Sequence, residues 1–313
     1  MGPRIILNIY GTCFRRLAPR SICMMLFAGF VGIASAQSDL SGVIDIHAHT
    51  LPSSRPRSID AVDLAKLAKQ RGMRAIVIKD HYESTASQAY FVRKAVPGIE
   101  VFGGIVLNRS VGGINLAAVE RMVLMTGGWG RIVWLPTFDA ENQVKFSKED
   151  RPFVPVSKDG HLVASVLDLI AFVKDHPQLA LATGHISAEE GLMVVREAHR
   201  QGVQHIIVTH PMEALINMTI PQMLEAAHDG AYIEFVYSAL LGKSPIPLAD
   251  YVNAIRAIGP ASCILSSDFG QPENPPHTDG LAAFFKALRG AGIPQSDIDT
   301  MSKTNPARVL GLP

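Results

Sequence analysis

The residues of this chain best suited to chemistry begin in the stretch 43–50, which reads V-I-D-I-H-A-H-T. Val43, Ile44 and Ile46 predict a short β-branched strand, and strand side chains alternate between two faces. On that pattern Asp45, His47 and His49 point the same way, so the two imidazoles converge. Two neutral imidazole nitrogens on one face are what a divalent cation such as zinc accepts. A polar strand end carrying two solvated histidines is the alternative for H-x-H alone.

The rest of the chain favours the cation. Lys79 and His81 stand at the end of the predicted strand 75–79, and His185 follows 179–183. His210 follows 205–209, and Asp268 follows 263–267. Any one of these is more often a loop residue or a satisfied buried group than a ligand. Their recurrence at the same end of separate strands points to a joint metal site.

These residues need a scaffold that gathers strand ends. Eight short apolar segments, 43–50, 75–79, 101–107, 131–135, 179–183, 205–209, 231–236 and 263–267, read as strands. Helical patterns alternate with them: Ser58 is expected to cap a helix through Lys69, and Ser187 with Glu190 forms a capping box. No pair of strands is joined by a tight hairpin turn, which demands parallel pairing through crossovers and an α/β fold. Eight repeats over about 270 residues match a closed (β/α)8 barrel as a single domain, with active-site groups at the carboxyl ends of the strands. A doubly wound open sheet is the alternative, but no G-x-G-x-x-G follows the first strand. The polar stretch 137–160 has the length of a functional lid or of a disordered segment.

Face parity within two strands adds candidates. Ile76 and Ile78 suit the helix layer, so Val77, Lys79 and His81 should face the barrel mouth. Ile233 and Phe235 likewise turn Glu234 inward, where a carboxylate needs a partner such as Lys79 or a ligand histidine. Asp45, one step deeper than the histidines, is expected to orient them.

Arg4, Arg15, Arg16 and Arg20 precede an uncharged run, 22–33, that ends in Ala34-Ser35-Ala36. Residues 1–36 therefore read as a secretory signal peptide cleaved before Gln37, the run being too short to span a bilayer comfortably. The mature chain, 37–313, is then exported, periplasmic or secreted, and keeps Cys263 as its one cysteine, so it has no internal disulfide. Its charges nearly balance, with 29 Lys and Arg against 28 Asp and Glu before cleavage. That excludes a nucleic-acid footprint and, after signal removal, a polybasic membrane surface.

With these motifs assembled, D-I-H-A-H, T-G-H, V-T-H-P and S-S-D-F-G, the chain resembles the amidohydrolase superfamily of metal-dependent hydrolases. The ending N-P-A-R-V-L-G, 305–311, is similar to one frequent in those enzymes. The likeness spans the mature chain and is nearest to an uncharacterised branch carrying I-K-D-H-Y after strand two. It implies a (β/α)8 barrel with His47, His49, His185, His210 and Asp268 around one or two divalent ions, most simply zinc. One departure matters: the bridging carbamylated lysine of binuclear members sits at the end of strand four, where this chain has W-L-P-T. Lys79 is the substitute candidate, either as such a ligand or as a point charge for an anionic group.

The resemblance implies a small-molecule substrate and metal-assisted hydrolysis of an amide, cyclic amide, lactone or other ester. Asp268 would move the water proton, and His210 would ligate metal or polarise the carbonyl. His81, Tyr82 and Asn108 are candidates for substrate contact. Two alternatives stay open: a non-oxidative decarboxylase, with Lys79 or Arg109 holding the carboxylate, and an inactive exported binding protein. A homo-oligomer is compatible with either.

Overall fold

The computed structural model describes residues 40–242 and 244–313. The signal-peptide expectation, residues 1–36, lies outside the described residues. Among the described residues no helix is long and apolar enough to cross a membrane.

Short strands buried on both faces alternate with helices, as parallel strands wrapped by crossovers must. They are β1 (Ile44–Ala48), β2 (Ala75–Ile78), β3 (Glu100–Val106) and β4 (Gly130–Trp134), then, after a small antiparallel pair, β5 (Ser157–Lys158) and β6 (His161–Leu162), the strands β7 (Ala180–Ala182), β8 (Ile206–Val208), β9 (Ala231–Val236) and β10 (Cys263–Ser266). Eight of them form one sheet in the order β1-β2-β3-β4-β7-β8-β9-β10, with every pairing parallel. The ends meet just beyond β10, where Asp268 donates its N–H to His47 O at 2.9 Å and His49 donates to Phe269 O at 2.8 Å. The result is the expected (β/α)8 barrel.

Alternation sorts the apolar side chains into two layers. Ile44, Ile46, Val77, Phe102, Trp134, Ile207 and Ile264 fill the interior. Ile76, Ile78, Val133, Leu181, Ile233, Phe235 and Leu265 face the helices. The parity expected for β2 and β9 is therefore present. From below, Ala307, Val309 and Leu310 join the interior cluster, so the C-terminal helix plugs the barrel floor. Asn305 anchors that plug by donating its amide to the carbonyls of Pro260 and Cys263 at 2.8 and 2.7 Å.

Three local expectations differ from the structure. The first helix is Ala61–Gln70, capped by Asp60 rather than Ser58, because the Asp60 carboxylate accepts from Val62 N at 2.7 Å. The polar stretch after β4 is ordered: it holds the helix Glu141–Phe146 and the β5–β6 pair. In β1 the strict alternation fails. Ile44 and Ile46 are both interior, as alternation requires, but His47, next along, also faces the cavity, and the register with β2 slips between Asp45 and Ala48. Asp45 thus leaves the face His47 uses, and such a slip lets a strand re-aim a side chain.

Candidate metal centre

A cavity of about 390 Å³ opens at the carboxyl ends of the strands, and His47, His49, Lys79, His81, His185, His210, Glu213 and Asp268 line it. Its centre is Asp268. The Oδ1 atom lies 3.1 Å from Nε2 of both His47 and His49, while Oδ2 accepts from the Ser238 hydroxyl at 3.0 Å. Donor atoms separated by about 3 Å suit a common ion with bonds of ~2 Å. His47, His49 and Asp268 form one group with metal-holding geometry, and His210, Glu213 and Asp268 form a second that shares the same carboxylate.

The outer nitrogens of the ligand rings are already committed. His47 Nδ1 faces Glu234 Oε1 at 3.1 Å, and Ser266 donates to the same oxygen at 2.9 Å. His49 Nδ1 lies 2.9 Å from the Lys79 carbonyl oxygen, which can only accept, so Nδ1 carries the proton. Both rings are thereby held with Nε2 toward the cavity. This orienting pattern is what metal-bound histidines use.

His47 Nε2 meets two opposite charges: Lys79 Nζ at 2.9 Å and Asp268 Oδ1 at 3.1 Å. One ring nitrogen offers either a lone pair to the ammonium or a proton to the carboxylate, never both. A divalent cation in place of the ammonium serves the imidazole and the carboxylate together, so the donor set fits a metal.

The electrostatics follow from burial and from Asp268. Burial and Lys79 both pull His47 down, but Asp268 and Glu234 outweigh them and raise it to about 9. Burial lowers His49 to about 3 and Lys79 to about 8, the latter against the pull of Asp268 and Glu234. His81 and His185 are held well below the ordinary range, mainly by burial. Burial would raise Asp268, yet His47 and His49 keep it well below the usual carboxylate value.

The other expected residues divide. His185 lines the cavity, and its Nδ1 is held by Gln143 Oε1 at 2.8 Å, but it belongs to neither tight ligand group; its ring centre lies 5.1 Å from that of His210. His81 stacks on His49 at 4.7 Å between ring centres and bonds Thr137 Oγ1 at 2.9 Å. Tyr82 stays at the rim, stacked on Phe138. Asn108 is fully buried and spent on its neighbours. Its amide donates to His81 O and Thr137 Oγ1, and its oxygen accepts from Thr137 N and Asp139 N. It therefore ties three strand ends together and does not reach the cavity. Arg109 lines a separate surface groove with Phe153. Asp45 accepts from His47 N and Ser267 N, both at 3.1 Å, so it braces backbone and does not bond the imidazole of His47 or His49.

The sequence reading missed Glu213 and Gln143. Glu213 stands three residues after His210 in H-P-M-E, a spacing that folds back on the strand end. Its Oε2 is 3.5 Å from His210 Nδ1, a buried nitrogen without a hydrogen-bond partner. Two of the carriers hold unusual backbone: His210 has φ of 26° and Asp268 of 49°, the left-handed region that disfavours side chains. Strain of this kind persists where the surroundings enforce it, commonly at functional sites.

A profile described as a family of unknown function (DUF6282) matches residues 42–234. The chain belongs to this family. The match runs from just before β1 into β9, so it contains every DUF6282 site residue named above except Ser238, Ser266, Ser267 and Asp268. No curated protein sequence matches the chain.

Among solved structures, this DUF6282 member is similar to a proposed 2-pyrone-4,6-dicarboxylic acid hydrolase from Pseudomonas putida, at 17% identity and a TM-score of 0.57 over 87% of this chain and 98% of that one. It is similar to a zinc-bound amidohydrolase from Burkholderia multivorans, at 14% identity and a TM-score of 0.56 over 87% and 100%. A 2,6-dihydroxybenzoate decarboxylase in complex with 2,6-dihydroxybenzoate matches at 13% identity and a TM-score of 0.56, again over 87% and 100%. At such identities the likeness establishes the shared barrel fold.

Proposed function

We propose that this DUF6282 protein is a metal-dependent hydrolase that cleaves an amide, cyclic amide, lactone or other ester in a small molecule. The observation that carries the reading is the convergence of His47 Nε2 and His49 Nε2 on one Asp268 oxygen, each at 3.1 Å. The amidohydrolases that share the fold, one of them zinc-bound, add support. His47, His49 and Asp268 would hold the first cation, with His210 and Glu213 available for a second.

A bound zinc-like ion supplies Lewis acidity that brings the pKa of water down toward ~7. Asp268, kept ionised by the two imidazoles, accepts a proton from the attacking water. The water oxygen bonds to the substrate carbonyl carbon, the carbon–nitrogen or carbon–oxygen bond breaks, and Asp268 returns the proton to the leaving atom. His210, when not a ligand, is placed to donate to the carbonyl oxygen. The expected N-terminal signal would put this activity in the periplasm or outside the cell.

The test is elemental analysis of the purified protein followed by turnover of an amide, lactone and ester panel in ¹⁸O-labelled water. At least one divalent ion per chain and label in the acid product support the proposal. Absence of any divalent ion after metal loading overturns it. Carbon dioxide released without label incorporation would instead select the decarboxylase reading, which the fold shared with a decarboxylase keeps in view.

A further inference from the structure

Arg57 stands on the loop between β1 and the helix Ala61–Gln70, in the wall of the metal cavity. It is half-buried, its Nε is buried without a hydrogen-bond partner, and among the described residues it forms no ion pair. The polar atom within hydrogen-bond reach of its side chain is His49 Nδ1, 3.3 Å from Nη2. That nitrogen already donates to the Lys79 carbonyl, so it has no lone pair to receive a guanidinium N–H. Arg57 is therefore a permanent charge, partly out of water, with no ion-pair partner in contact and with its Nε lacking an acceptor. A buried charge in that condition is costly unless something pairs with it.

The surroundings show what would pair. Arg55 lines the same wall, with its guanidinium carbon 4.2 Å from the Phe138 ring centre and Nη1 3.5 Å from the Tyr82 hydroxyl. Two cations of fixed charge thus stand two residues apart beside an aromatic face. Asp80 and Asp268 act favourably on the Arg57 charge from a distance, without contact. Asp268 is engaged by His47, His49 and Ser238, and Asp80, which accepts from Tyr82 N, is not in ion-pair contact with it.

We infer that the substrate of this site carries an oxyanion, a carboxylate or a phosphate, which seats on Arg57 beside the Phe138 ring. The inference names the substrate class of the proposed hydrolase and rests on that reading. An arginine fork matches two oxyanion oxygens in a plane, which a lysine cannot do. Because Arg57 touches the ring of His49, the anion lies close to the reacting bond and not at the end of a long tail. The cavity of about 390 Å³ suits such a compact molecule.

The experiment is calorimetric titration of benzoate, phenyl phosphate and neutral benzamide into the full protein, zinc-loaded and metal-stripped. Wild type, R57Q and R57K are compared, with zinc content and Tm recorded for each. The expected result is that at least one anion binds wild type about tenfold or more tighter than benzamide, the worth of one charge-assisted pair. R57Q should erase that preference and leave benzamide unchanged, with R57K in between; the preferred anion tells carboxylate from phosphate. Anions that bind wild type no better than benzamide overturn the inference, and this arm needs no variant to fold. An unchanged preference in folded R57Q or R57K overturns it too. Failure of the hydrolase reading looks different: zinc does not bind, while Arg57-dependent anion binding persists in the metal-stripped protein.

Discussion

Glu234 Oε1 lies 3.1 Å from His47 Nδ1 across 187 positions of sequence. The contact joins β9 to β1 through the barrel interior and decides which nitrogen of His47 faces the cavity. A carboxylate behind a ligand imidazole fixes its tautomer and raises its basicity.

Replacing Glu234 should therefore weaken the metal site before it weakens the fold. E234L, which removes the acceptor, is expected to lower zinc affinity by ~10- to 100-fold, the usual effect of losing such a support. E234Q keeps an acceptor oxygen for Nδ1–H and should fall between E234L and wild type. Chelator competition measures the affinities, and equal affinity in all three proteins would remove Glu234 from the site.

Asp268 is proposed both to hold metal and to move the proton. D268N keeps the side chain's shape and an oxygen toward His47 and His49, but cannot accept a proton at neutral pH. Turnover should drop by ~10²- to 10⁴-fold, the range typical of losing a general base, while part of the bound zinc stays. Single-turnover rates paired with metal content separate the two roles. Full activity in metal-loaded D268N would assign proton transfer elsewhere.

Cys263 opens β10 in the layer that faces the helices, and burial pushes its thiol up from 9 to about 12. Only the thiolate is nucleophilic, so iodoacetamide at pH 8 should leave the native protein unmodified and label it once unfolded. The linkage has a definite sign. Above pH ~9 the unfolded chain loses the Cys263 proton and the native state keeps it, so stability falls as pH rises toward 12, by at most ~1.4 kcal/mol per pH unit. C263A should lack this alkaline slope in urea melts. Rapid native labelling would contradict the burial.

How much of this was legible in the residues differs from strand to strand. In β2 and β9 the apolar partners on either side of Lys79 and Glu234 were enough, because a strand buried on both faces leaves its polar member only the mouth or the interior. In β1 the same rule misplaced Asp45, since one register slip reassigns faces and nothing in V-I-D-I-H-A-H announces it. Asn108 looked like a substrate contact from its strand-end position, yet four hydrogen bonds to His81, Thr137 and Asp139 consume its amide. Those partners become neighbours only when β2, β3 and β4 are laid side by side.

The sequence alone determined the alternation of eight strands with helices, and with it the barrel and the clustering of His47, His49, His185, His210 and Asp268 at one end. Periodicity is a local property, so residue order suffices to reveal it. Only the tertiary structure decided that Asp268 is the carboxylate shared by two ligand groups, that Glu213 joins it, and that Arg57 lines the cavity with its Nε unpartnered. Those facts depend on distances between strand-end loops, which are set by the closure of the sheet between β1 and β10 and by no short-range pattern in the chain.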